Sequence, residues 1–196
     1  MRTIFLLLVC SLSCSVLHAQ PSADVPVFKV DPENSTIKFS VKASVAIDGT
    51  FDKWTAALTF ASTDPKSGNL DVKIQADSVN TGSGFKNDKL KSKDFFNVEQ
   101  DPYITFKSTK VIPTGPHTFE VDGNFTIRGV TRAEKLTLTI SGEGTGSGTI
   151  VGTMAFDRKE YGMNSGIPFI RIADRVEVSV DLKVKRVGGP ALAFGK

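Results

Sequence analysis

The feature that most constrains this chain is strict two-residue alternation. Val176, Val178, Val180, Leu182 and Val184 alternate with Glu177, Ser179, Asp181, Lys183 and Lys185. Successive side chains of a strand point to opposite faces, so this run is a strand with one dry face and one wet face. The same pattern recurs throughout. Ile37, Phe39, Val41, Ala43 and Val45 share one face, with Lys38, Ser40, Lys42 and Ser44 on the other. Trp54, Ala56, Leu58 and Phe60 repeat it, as do Leu70, Val72, Ile74 and Ala76. Ile104 and Phe106, then Phe119, Val121, Phe125 and Ile127, then Leu136, Leu138 and Ile140, then Ile150, Met154 and Phe156 complete the series.

Eight such segments predict an all-β chain. Turn chemistry separates most of them at Asp48-Gly49, at Asp64 to Gly68, at Pro113 to Pro116 and at Arg128-Gly129. The glycine-rich stretch Gly142 to Gly148 reads as a hairpin tip; it lacks the spacing and the strand-to-helix setting of a nucleotide loop. Consecutive antiparallel strands with one apolar face form a sandwich or an up-and-down barrel. Sandwich strands are short, about 5–6 residues, whereas several segments here are longer. The expectation is therefore an eight-stranded antiparallel barrel, whose closure removes exposed edges. A barrel of this size fills with its own side chains or holds one small ligand. Ala43, Ala56, Ala76 and Gly123 on the inner face fit a void, and a fully packed core fits the pattern equally well.

Two stretches break the alternation. Gly84 to Phe96 predicts a short helix and its exit, between the third and fourth strands, with Phe85, Leu90, Phe95 and Phe96 as its apolar members. Arg158 to Phe169 predicts a lid-like connection before the last strand. The Gly/Pro-rich segment 188–196 predicts a flexible tail.

The first 20 residues predict a signal peptide: Arg2, an apolar run from Ile4 that thins toward Leu17, and Ala19 before a cleavage point after Ala19 or Gln20. The competing reading is lipoprotein processing at Cys14, against which Ser11 stands where an aliphatic residue is usual. The apolar run is shorter than the roughly 20 residues of a membrane span. Both cysteines, Cys10 and Cys14, lie in this leader, so the domain at 21–187 contains no disulfide, thiolate metal site or cysteine nucleophile. Removing Arg2 leaves 23 basic residues (24 − 1) against 21 acidic ones, a formal charge near +2. The two signs are interleaved, which speaks against nucleic acid as a partner. The expected setting is the periplasm or the medium, as a monomer or homodimer.

Chemistry at a site is sparse. His117 follows Gly115-Pro116 in a turn and reads as solvated; Asp157 and Glu160 flank Arg158 and Lys159 and read as a surface charge cluster. No nucleophile motif or metal-ligand spacing appears, so no catalytic residue, metal or cofactor is expected. Lys86, Asn87 and Lys89 accompany Phe85 and Leu90 on the helical segment. They fit either the mouth of a pocket meeting a polar head group or an ordinary solvated helix face.

Three stretches carry a family likeness. The first runs from Asn80-Thr81-Gly82 through Asn87 to Phe96 and on to Pro102 to Ser108; the others are Gly123 to Thr131 and Phe156 to Met163. With the closing strand they resemble the YceI-like family, in order, over nearly all of residues 27–187. The resemblance implies an exported lipocalin-like barrel holding a polyisoprenoid lipid, of quinone or polyprenyl phosphate type, as carrier, reservoir or scavenger. It departs where many members carry histidine: Ala43-Ser44 and Lys89 stand there, which puts the head group in doubt. The candidate ligand-binding set joins inward-facing Phe39, Val41, Trp54, Phe106, Phe125, Met154, Phe156 and Val178 to Phe85, Lys86, Asn87, Lys89, Leu90, Phe96 and Tyr161. The lipid is the expected partner, with room for transient contact with a membrane. The alternatives are an enzyme acting on a lipid head group through Asp157, Glu160 or His117, and a packed structural module.

Overall fold

The computed structural model describes residues 24–44, 46–142, 144–166 and 171–194. The leader and Ile167-Pro168-Phe169 of the lid-like connection lie outside them.

Among the described residues, ten strands form one antiparallel sheet: β1 Val27–Ala43, β2 Ile47–Phe51, β3 Trp54–Phe60, β4 Gly68–Gln75, β5 Val79–Asn80, β6 Tyr103–Pro113, β7 Thr118–Ile127, β8 Val130–Ser141, β9 Ser147–Asp157 and β10 Ile172–Gly188. Their order is β3-β4-β6-β7-β8-β9-β10-β1-β2-β5, and the sheet curls so that β1 and β3 lie side by side. The eight predicted strands are β1, β3, β4 and β6 to β10; β2 and β5 are additional. The interior holds the residues the alternation assigned to it, among them Ile37, Val72, Phe106, Val121 and Leu182, all buried.

Asp48-Gly49, expected as a turn, lies inside β2, where Ser40 pairs with Asp48 and Phe39 with Gly49. Glycine serves packing there: a Cβ on it would sit 2.6 Å from two atoms of the Phe39 ring. Arg128-Gly129 is a true hairpin turn with φ of 54° and 70°, the two positive values that suit the twist of the flanking strands.

β2 and β3 are nearly continuous, bending at Asp52 and Lys53. β2 pairs with the second half of β1, whereas β3 leaves to pair with β4. Among the described residues no ladder joins β3 to the first half of β1. Side chains close this seam, with the Phe28 and Phe60 rings 5.6 Å apart. The inward residues of β3, Trp54 to Phe60, are half-buried, while those of β4 and β7 are buried.

β1 carries a kink that the alternation did not show. Asp31 opposes Lys183 and Thr36 opposes Asp181, so five residues of β1 advance against two of β10. The Asp31 carboxylate accepts from the Glu33 amide and the Asn34 side chain, and Ser35 Oγ accepts from the Lys183 amide at 2.8 Å.

The helix α1, Gly84–Lys91, crosses one end of the barrel, followed by a turn that sends Phe95 and Phe96 into the interior. The β8–β9 hairpin, the β6–β7 turn and the segment after β10 gather at the other end. That last segment was expected to be loose. Its described part turns back over the barrel: the Ala193 amide donates to Thr63 O at 2.8 Å, and the Phe194 ring meets those of His117 and Phe119.

Candidate functional site

Among the described residues, two cavities lie in the lumen. The first, about 110 Å³, lies at the hairpin end. Phe28, Leu58, Phe60, Phe119, Leu138 and Ile150 line its walls, with Leu192 and Phe194 of the C-terminal segment over it. The second, about 70 Å³, lies beneath α1. Seven candidate residues line it: Phe39, Val41, Leu90, Phe96, Phe125, Phe156 and Val178. Its walls are hydrocarbon apart from Arg158. The Phe39, Phe51 and Phe96 rings form a cluster with centroids 5.5–6.4 Å apart. A void of 150 Å³ accommodates benzene, so each cavity is small against an isoprenoid chain and side chains fill most of the lumen.

The remaining candidates fall elsewhere. Phe106 and Met154 are buried and line neither cavity. Tyr161 is fully buried, edge-on to Phe125 and Phe156, and its hydroxyl donates to Glu134 Oε1 at 2.7 Å. Trp54 is half-buried on β3 at the seam. Phe85, expected against the ligand, departs from that placement: it is 72% exposed and lines neither cavity. The reason is helical phase, because on this short polar helix only Leu90 turns into the core.

The polar residues of α1 bond to the β1–β2 connection and to the segments that flank the helix. Lys86 Nζ donates to Ala46 O at 3.2 Å. Asn87 Oδ1 accepts from the Thr81 amide and hydroxyl at 2.9 and 2.7 Å. Lys89 Nζ donates to Asp94 at 2.6 Å, and this bond holds the Asp94 carboxyl below the ordinary aspartate range. All three are half-buried, and none lines either cavity.

The connection after β9 begins as a short 3-10 turn, Arg158–Tyr161, in which the Asp157 carboxylate accepts from the Lys159 amide at 2.8 Å. Arg158, assigned by its neighbours to a surface cluster, is buried. Its guanidinium donates to the carbonyls of Met163, Ser165 and Ala173 and to Asp174 Oδ1. Two more arginines hold the same segment: Arg128 donates to Gly162 O and Lys93 O, and Arg132 Nε donates to Glu160 O. The described part of the lid-like segment is thus clamped over one end of the barrel by backbone carbonyl contacts, which leave no trace in a residue pattern. Lys159 and then Arg158 depress the Asp174 carboxyl.

Asp157, Glu160 and His117 do not converge. Asp157 caps the 3-10 turn and Glu160 lies within it, near the α1 end, His117 lies in the β6–β7 turn at the other, and none lines either cavity. The first cavity itself was missed. Its signal was the apolar C-terminal sequence Ala191-Leu192-Ala193-Phe194, set aside because glycine and proline precede it.

A curled, all-antiparallel barrel with an apolar interior and one short helix across an end is a lipocalin-like fold. The chain belongs to the YceI-like domain family, whose model matches residues 28–184. A UPF0312 protein of Pectobacterium carotovorum is 32% identical over 134 residues, 66% of this chain and 69% of the relative. BcnA of Burkholderia cenocepacia superposes with a TM-score of 0.72 at 25% identity, over 79% of this chain and 99% of that one. A polyisoprenoid binding domain from Saccharophagus degradans, implicated in plant cell wall breakdown, superposes with a TM-score of 0.66. Its identity is 16%, over 82% of this chain and 99% of that one, a likeness of fold alone.

Proposed function

We propose that this protein is a non-catalytic binding protein that holds an apolar lipid of isoprenoid type in its barrel, as an exported carrier, reservoir or scavenger. The observation that carries the reading is the pair of mainly apolar cavities at the two ends of one lumen. Family membership and the ligand named for the Saccharophagus domain support it. Burying a methylene is worth about 0.8 kcal/mol, roughly 4 kcal/mol for each isoprene unit. A chain therefore leaves water readily and can displace the aromatic side chains that fill the lumen. A bilayer is equally dry, so exchange with a membrane is close to balanced, which suits a reversible carrier. The leader supports export to the periplasm or the medium.

Native mass spectrometry of the purified protein, alone and after addition of a short-chain quinone and a polyprenyl phosphate, tests this. A stoichiometric lipid adduct is expected. A monodisperse, folded protein that carries no lipid and takes up neither compound overturns it. The small size of both cavities favours one competitor, a self-filled structural barrel, and the same measurement separates the two.

A further inference from the structure

The two cavities share no lining residue, and one or two inward-facing residues of each strand that lines both form a layer between them. Val72 lies between Leu70 of the first cavity and Ile74 of the second. Gly123 lies between Val121 and Phe125, and Leu182 and Val180 between Val184 and Val178. Val30 lies between Phe28 and Ile37, and Phe106 between Val111 and Ile104. This layer is the waist of the lumen. Phe106 is its one aromatic member among these positions, and it is 5% exposed.

The Phe106 ring occupies the space that a side chain on β7 would otherwise fill. A Cβ added at Gly123 would sit 2.8 Å from both Cε atoms of the ring and closer still to Cζ. Gly123 thus lets the ring lie against the barrel wall. The two residues together fix how much of the waist is open, because a larger residue at 123 pushes the ring toward the barrel axis and a smaller one at 106 removes it.

We propose that Phe106, seated on Gly123, sets the length of apolar chain that the barrel accepts. A short chain displaces the side chains that fill one chamber only, and a long one must pass the waist. This rests on the lipid-binding reading above and adds its selectivity determinant.

The test is competition, read by native mass spectrometry, among equimolar geraniol, farnesol and geranylgeraniol, which contain two, three and four isoprene units. It is run on wild type, Phe106→Ala, Phe106→Leu and Gly123→Ala, each checked for fold by circular dichroism. Opening the waist for two further methylenes is worth about a tenfold change in affinity. Phe106→Ala is expected to raise the bound ratio of geranylgeraniol to geraniol about tenfold, Phe106→Leu less, and Gly123→Ala to lower it. Phe106→Leu carries the test if the alanine variant does not fold. An unchanged ratio across folded variants, or a rise in Gly123→Ala, overturns the proposal while leaving lipid binding intact. Absence of all three alcohols from wild type and variants alike overturns the lipid-binding reading and the waist with it.

Discussion

The hydroxyl of Tyr161 donates to Glu134 Oε1 at 2.7 Å inside the barrel wall, joining the segment after β9 to β8. Tyr161 is fully buried, and burial first, then the bond to Glu134, push its pKa well above the ordinary tyrosine value. The fold therefore favours the neutral phenol. The corresponding stability is fully present below about pH 10, the unfolded value, and is lost as pH rises toward the folded one. Urea melts between neutral and strongly alkaline pH are expected to show this decline, and Tyr161→Phe is expected to flatten it. At neutral pH the same substitution is expected to cost about 1–2 kcal/mol, because a hydrogen bond to a charged acceptor is lost. Equal alkaline slopes in the two proteins would assign the decline to other groups.

Arg158 is the central clamp of the lid-like segment. Its replacement by Met takes the guanidinium donor from three carbonyls and leaves Asp174 with Lys159 alone. Roughly 2–4 kcal/mol of destabilisation is expected. Thermal melts check this, since each kcal/mol moves Tm by about 2–4 °C in a domain of this size. Arg158→Lys is expected to recover only part of the loss, because an ammonium cannot span the same acceptors.

The α1 residues divide by direction. Leu90→Asp places a charge in the wall of the second cavity and is expected to abolish quinone uptake and destabilise the fold. Phe85→Ser removes an exposed ring and is expected to change stability by no more than about 0.5 kcal/mol. Quinone titrations of the two folded proteins compare them; similar losses from both would place Phe85 at the ligand after all. Because Lys86 and Lys89 are engaged in holding the helix, Lys86→Ala with Lys89→Ala is expected to weaken a polyprenyl phosphate and a neutral quinone equally. Selective loss of the phosphate would restore a head-group role to these lysines.

Ending the chain after Gly188 removes Leu192 and Phe194 from the first cavity. The truncated protein is expected to bind an environment-sensitive naphthalene dye more strongly than the full chain and to lose a few degrees of Tm. Unchanged dye binding would mean that the segment does not cover the cavity in solution.

The inner face of the barrel was legible because alternation is local: each strand states its own dry side, as Val176 to Val184 does. What escaped depends on residues far apart in sequence. Glycine at 49 and 123 looked like a turn and a sign of empty space. Both positions instead make room for a phenylalanine on a neighbouring strand, Phe39 and Phe106. Arg158 sits between an aspartate and a lysine, and only the path of the following carbonyls turns it inward. Phe85 and Leu90 looked equivalent as apolar members of one short helix, and the docking angle of that helix separates them.

The seam between β1 and β3 has a mechanical consequence. Around the rest of the barrel, neighbouring strands are tied at fixed spacing by ladder hydrogen bonds, so the circumference there cannot grow without breaking them. Across the seam the joint is made by side chains such as Phe28 and Phe60, which slide and repack at little cost in hydrogen bonding. The seam works as an expansion joint. A wall with such a joint can widen there without losing a ladder bond.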